Sequence, residues 1–235
     1  GYRQGDSELR EWVHQCYVEM LKENSSIRPG AWICEPGCGT AGASAILAAE
    51  NRVMFVGLDI DPKALEIARS KIQEENVCDR CDLILGDMFY LPLRDGACEL
   101  VWNAGVLEHF KQPQDEDAIM EMARVTKPSG EVFLLVPNRF HIGALNVKVL
   151  YKLRGRRHAF GYQRDYSVWE IERKIRKVGL VVKKSFGFKL GLILMYRKLA
   201  HGLGLGKIYD TLERTHTKIH KIFGEWIVVV GIKQE

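Results

Sequence analysis

The chain has 235 residues, enough for one large domain, and no apolar run approaches the roughly 20 residues needed to cross a bilayer. The first residues are polar and carry no apolar signal core, so the expected compartment is the cytoplasm. The net charge of +4 is unevenly divided: residues 1–138 hold 13 Lys and Arg against 23 Asp and Glu, a net of −10, and residues 139–235 hold 21 against 7, a net of +14. Such a basic part suits an anionic substrate, a membrane surface or nucleic acid, or it neutralises the acidic part on packing.

Residues 7–24 read as a helix capped by Asp6 or Ser7, with Leu9, Trp12, Val13, Cys16, Tyr17, Met20 and Leu21 on one stripe. Strand one, about 31–35, runs into Pro36-Gly37-Cys38-Gly39-Thr40-Ala41-Gly42, and an Ala-rich helix follows to about Asn51. Strand two, Val53 to Leu58, is apolar without alternation, the mark of a strand covered on both faces. Asp61-Pro62 opens the next helix with Asp at the cap and Pro in the first turn. Strand three is Cys81 to Leu85 and strand four Ala97 to Trp102; a helix spans about Asp115 to Arg124, Lys127 to Gly130 is a turn, and Glu131 to Val136 is strand five. This alternation is that of an α/β doubly wound, mostly parallel seven-stranded sheet.

Beyond Pro137 the pattern is coarser. Leu145, Val149, Leu150 and Leu153 suggest a short apolar-faced helix, followed by the basic turn Gly155 to His158. Tyr166-Ser167 caps a helix from Val168 to Val178, Val181 to Phe188 is strand six, and Leu190 to about Ile222 is helical and basic. Glu225 to Gly231 is strand seven, and the long connection before it points to an antiparallel edge. The six cysteines are irregularly spaced, with one Cys78-x-x-Cys81 and no second pair, so the plain reading is reduced thiols and no metal.

Gly37, Gly39 and Gly42 satisfy G-x-G-x-x-G, and Asp59 lies 22 residues past Gly37 at the end of strand two. Glycines let backbone approach a ligand, and the carboxylate can take both hydroxyls of a ribose. Alone, this fits a dinucleotide as well. Glu35, two residues before the first glycine, argues against that, since a carboxylate there repels pyrophosphate and suits a cationic group. Gly86-Asp87-Met88 ends strand three, where Asp87 can read an adenine amino group.

With these residues in place the chain resembles the class I S-adenosylmethionine-dependent methyltransferases over about residues 30–138. Glu35-x-Gly37-x-Gly39 resembles their first motif, Gly57 to Ile60 the second, and Gly86-Asp87-Met88 with Leu91-Pro92 the third. Val101 to His109 resembles the fourth-strand motif of the ubiquinone-methylase-like branch, and Lys127 to Gly130 the turn before strand five. The resemblance implies S-adenosyl-L-methionine as cofactor and S-adenosyl-L-homocysteine as product. It implies that Gly37, Cys38 and Gly39 line the methionine part, Glu35 steers its amino group, and Asn103 touches it by its carbonyl. Asp59 would hold the ribose, with Ile60 packing on adenine, Asp87 accepting from it and Met88 beside it. For Ile60 and Met88 the plainer reading is core packing, and for Asp59 a helix cap.

Methyl transfer from a sulfonium is an in-line displacement, and a base is needed only where the nucleophile carries a tightly held proton. His109, with Glu108 before it, stands past strand four where it can act as that base; otherwise the pair begins a helix and shapes the pocket. The expected organisation is a single domain over 1–235. It comprises an N-terminal cap helix (1–30), a cofactor-binding core (31–136) and substrate-side caps (137–166 and 190–222). Asn138 to His141, Arg154, Arg156, Arg157, His158, Tyr162, Arg164 and Tyr166 form a basic, aromatic-bearing wall suited to an anionic or lipid-like small-molecule acceptor, or else a solvated loop. The apolar stretch Gly187 to Leu205 suits core packing, a homodimer surface or peripheral membrane contact. An NAD-type oxidoreductase, an RNA methyltransferase and a non-catalytic cofactor-binding module are the alternatives. Nucleic acid is not the expected partner, since Asn103-Ala104-Gly105-Val106 lacks an Asn-Pro-Pro-Tyr-like signature.

Overall fold

The computed structural model describes residues 4–141, 162–188 and 224–235, with residues 4–9 and Phe188 described in backbone only. The expected helix around Leu145 to Leu153, the basic residues Arg154 to His158 and the apolar segment from Leu190 lie outside the described residues. The elements are α1 (Gln4–Asn24), β1 (Trp32–Pro36), α2 (Gly42–Asn51), β2 (Met54–Asp59), α3 (Pro62–Glu74), β3 (Cys81–Leu85) and β4 (Cys98–Ala104). A 3-10 turn (Leu107–His109), α4 (Gln114–Val125), β5 (Thr126–Pro137), α5 (Val168–Lys177), β6 (Leu180–Phe188) and β7 (Trp226–Lys233) follow.

The seven strands stand in the order β3-β2-β1-β4-β5-β7-β6. All pairs from β3 to β5 are parallel, and β7 is antiparallel to both its neighbours. The expected antiparallel last strand is present: β7 inserts between β5 and β6, and β6 forms the edge. Apolar residues alternate between two cores. Phe133, Leu135, Val228 and Val230 pack with Leu21, Leu47 and Leu65 of α1, α2 and α3. Val132, Leu134, Ile227 and Val229 pack with Ile119, Met122, Ile171 and Ile175 of α4 and α5. Both faces of the central strands are thus covered, which is why they read as unbroken apolar runs.

Local signals settle most element ends. Asp61 accepts from the Lys63 N–H at 3.0 Å and Ser167 from the Glu170 N–H at 3.2 Å, each capping the helix it precedes. Asp6 and Ser7 fall inside α1 and not at its cap. The turn expected at Lys127 to Gly130 is a bulge within β5: pairing jumps from Cys98 opposite Thr126 to Leu100 opposite Glu131, and Ser129 takes a φ of 61°. No helix among the described residues is long and apolar enough to cross a membrane.

Candidate functional site

The strand order reverses between β1 and β4, and there the ladder stops early. The two strands pair only at Ile33 with Leu100 and Cys34 with Val101, while β1 stays paired to β2 as far as Pro36 and β4 to β5 as far as Ala104. The carboxyl ends of β1 and β4 therefore part and leave a crevice, the position where open α/β sheets take their ligands. Asn103 is fully buried beside it; its Nδ2 donates to the Pro36 carbonyl at 2.5 Å, and its Oδ1 is buried with no hydrogen-bond partner. Because a carbonyl can only accept, the amide orientation is fixed, and Oδ1 is an acceptor awaiting a donor.

The glycine turn is tied down from beneath. The N–H groups of Gly37 and Cys38 both donate to the Leu58 carbonyl, at 2.7 and 3.0 Å, and the Gly39 N–H donates to Asp59 Oδ2 at 2.7 Å. Gly37 has a φ of 73°, and a Cβ there would come within 2.7 Å of Val106. At Gly39, with a φ of 53°, a Cβ would meet nothing within 4 Å, so the backbone borders open space. Cys38 turns its thiol into the core near Gly57. The third glycine serves a contact that the motif did not suggest: a Cβ on Gly42 would sit 2.2 Å from the His14 imidazole, so α1 packs directly on the first residue of α2. Ala41 holds a left-handed φ of 50° and gives α2 no side-chain cap.

Three carboxylates surround the turn. Asp59 accepts from Gly39 and, through Oδ1 at 2.9 Å, from the Asp61 N–H, so it braces the turn and is not the cap of α3. Asp87 is exposed and closes a small turn by accepting from the Phe89 N–H at 3.0 Å. Glu35 is buried and accepts from Ser44 Oγ at 2.6 Å, and Ser44 accepts in turn from Trp102 Nε1 at 3.0 Å. Burial raises the Glu35 pKa well above the usual carboxylate range, the Ser44 bond works against this, and the Asp59 charge adds to it. Burial thus disfavours the charged form of Glu35, and a cationic group brought beside it would favour that form. Ile60 is 72% exposed at the crevice mouth, which excludes core packing for it, whereas Met88 is buried in the core with Leu58 and Leu91.

Past β4 the two candidate bases part company. His109 is exposed, and its Nδ1 donates to the Tyr162 carbonyl at 3.1 Å, which puts the proton on that nitrogen. Glu108 is 2% exposed, and its Oε2 is buried with no hydrogen-bond partner. Burial pushes its pKa up to about 7, against smaller opposing effects of a backbone hydrogen bond and the His109 charge. Its Oε1 lies 3.7 Å from where a Gly105 Cβ would stand, and the Trp226 indole lies 4.0 Å from the same point. Because β7 runs antiparallel, its first residue reaches this edge, and Asn138 fixes the approach by donating to the Gly224 carbonyl at 2.7 Å. Neither Trp226 nor Tyr17, which packs edge-on to Trp102 at 6.2 Å, was singled out by motif; only the stripe on α1 pointed to Tyr17.

The described part of the expected basic wall is already paired. Arg164 bonds Asp115 at 3.2 Å and also Glu170, and Arg139 bonds Glu170 at 3.2 Å. Tyr166 is fully buried and donates to the Leu107 carbonyl at 2.9 Å. These groups join α4, α5 and the 3-10 turn; they do not face an acceptor as free cations. The acids that pair them stand far off in sequence, so charge counting could not find them.

Residues 34–134 match the family described as "Methyltransferase domain". The chain is 29% identical over 115 residues to methyltransferase GfsG of Streptomyces halstedii, a stretch covering 49% of this chain and 41% of that one. It is 36% identical over 110 residues to probable tRNA methyltransferase 9B of Homo sapiens, covering 46% and 22%. The chain thus spans less than half the length of either relative. Magnesium protoporphyrin IX methyltransferase of Synechocystis PCC 6803, solved with bound S-adenosylhomocysteine, superposes with a TM-score of 0.68 at 16% identity, over 100% of this chain and 89% of that one. Residues 34–134 thus match a methyltransferase domain, and the sheet order with the crevice between β1 and β4 goes with the fold of that solved methyltransferase.

Proposed function

We propose that the β1–β4 crevice binds S-adenosylmethionine and that the chain transfers its methyl group to a small-molecule acceptor. The observation that carries this reading is how the glycine turn spends its donors. Gly37, Cys38 and Gly39 all direct their N–H groups inward to Leu58 and Asp59, which leaves those three none for a pyrophosphate. Acceptors line the crevice instead. The orphan Oδ1 of Asn103 and the carboxyl of Glu35 fit an ammonium, such as the amino group of a methionine. Asp59 keeps a free lone pair on each oxygen for ribose hydroxyls, while exposed Ile60 offers an apolar face for adenine and Asp87 an acceptor at its edge. Met88 supports that edge from the core.

When bound, the sulfonium supplies an already activated methyl, so the protein's task is to align an acceptor and exclude water. Residues 31–136 hold the cofactor in this reading, and 1–30, 137–166 and 190–222 form the acceptor side. Membership of the ubiquinone-methylase-like branch, suggested by Val101 to His109, is part of the same proposal. A lipid-like or anionic acceptor would draw on residues 142–161 and 189–223, since Arg139 and Arg164 are engaged elsewhere. The likeness to a probable tRNA methyltransferase, with the +14 segment, supports RNA as a second acceptor class. Binding to bulk transfer RNA that weakens steeply with salt would favour it.

Isothermal titration with S-adenosylhomocysteine and with NAD tests the cofactor. The sulfur ligand is expected to bind and NAD is not; micromolar NAD binding with none of the sulfur ligand would sink the reading. Asp59→Asn is expected to weaken S-adenosylhomocysteine about 10- to 100-fold, the value of hydrogen bonds to a charged group.

A further inference from the structure

Glu108 is an acid with nothing to hold. Its Oε2 is buried and partnerless, and a buried acceptor left in that state costs about 1–3 kcal/mol unless something supplies a donor. The carboxyl lies against bare backbone at Gly105, with the Trp226 indole close to the same Cβ position. Tyr17 of α1, which packs on Trp102, is near enough to feel the charge of Glu108. Burial first, and then Glu108, Glu35, Cys16 and Glu225, push ionisation of the Tyr17 phenol well up, so Tyr17 presents a neutral hydroxyl. Among the described residues the basic group acting on Glu108 is exposed His109. Arg164 meets Glu108 only through its backbone N–H, 3.0 Å from the Glu108 carbonyl, and its guanidinium is taken by Asp115 and Glu170.

A buried carboxyl and aromatic faces with no free cation beside them among the described residues describe a receptor for positive charge. Resting on the methyl-transfer reading above, we propose that the acceptor is a protonated amine, held among Tyr17, Trp226 and Glu108 and deprotonated by Glu108. The ammonium gives one proton to the Glu108 carboxylate. The freed nitrogen lone pair forms the N–C bond as the C–S bond breaks, and that bond's electron pair goes to sulfur. A methylammonium and a neutral thioether result, with the proton left on Glu108 for solvent. A carboxyl that exchanges its proton near neutral pH suits this task, being ionised often enough to accept and acidic enough to release. His109, turned outward, has no part in it.

The test uses the full chain saturated with S-adenosylhomocysteine and three probes on one skeleton: benzylamine, benzyl alcohol and benzoate. Calorimetry is expected to give a Kd for benzylamine at least tenfold below that for benzyl alcohol, with no benzoate binding. Benzylamine affinity should rise with pH through about 7 as Glu108 ionises. His109 acts on that carboxyl, Tyr17 of α1 and Tyr166 ahead of α5 feel its charge, and Glu35 and Glu225 act on Tyr17 in turn, so the assignment needs the variant. Glu108→Gln should flatten the rise and weaken benzylamine at least tenfold while keeping the affinity for S-adenosylhomocysteine, which also shows that it folds. Equal or tighter binding of the alcohol or benzoate, no amine binding, or unchanged amine affinity in Glu108→Gln overturns the proposal. Failure of the wild type to bind S-adenosylhomocysteine removes the methyl-transfer reading and this one with it.

Discussion

Glu108 carries its own stability signature. Its pKa is about 7 in the folded chain against 4.5 when unfolded, so the folded state holds the proton more tightly. The unfavourable term is absent below about pH 4.5, grows as pH rises to about 7, and stays at its full size above that. At 1.36 kcal/mol per unit the loss is about 3 kcal/mol. Glu108→Gln removes the ionisation and keeps the shape. The drop in unfolding free energy between pH 5 and pH 8, read from urea midpoints, is therefore expected to be about 2–3 kcal/mol smaller in the variant than in the wild type. A variant that gains stability at pH 8 while losing amine affinity is the pattern of a group retained for function. An equal pH dependence in both proteins would mean that Glu108 stays ionised in the fold.

At the scale of elements, α1 and α2 meet where the glycine motif ends. Gly42 has no room for a side chain because His14 fills it, and the His14 Nδ1 is buried without a partner. Gly42→Ala is expected to push α1 from the turn and lower the melting temperature by several degrees. His14→Ala alone leaves a cavity, but combined with Gly42→Ala it restores part of the loss, which makes the two substitutions non-additive in thermal unfolding. The contrast between motif and contact shows what was legible beforehand. The strands, the glycine turn, Asp59 and the Asp61 cap are short-range patterns and were readable along the chain. That Gly42 faces α1, that β7 lies inside the sheet, and that Glu108 turns in while His109 turns out all depend on elements far apart in sequence. The partners of Arg139 and Arg164 were hidden for the same reason, since they sit on α4 and α5.

For the whole molecule, Asp115 joins α4 to the segment that begins at residue 162. It is fully buried and accepts from Arg164, Lys174 and the Tyr166 hydroxyl, at 3.2, 3.1 and 3.1 Å. Through them it links α4 to α5 and, by way of Tyr166 and Arg164, to the turn that carries Glu108. Asp115→Ala strands buried Lys174 with Glu116 as its remaining acid, 2.9 Å away. A loss of about 3 kcal/mol is expected, the lower end for breaking a buried pair, measured as a fall in urea midpoint at unchanged m.

The chain from Trp102 to Ser44 to Glu35 has a practical consequence. An indole N–H that donates to a hydroxyl which itself donates to a carboxyl is coupled to the charge on that carboxyl. A cationic ligand that ionises Glu35 strengthens both links and alters the surroundings of Trp102 without touching the ring. The protein thus carries a built-in optical reporter of crevice occupancy: with its other tryptophans replaced by Phe, the emission of Trp102 would read ligand binding without a label.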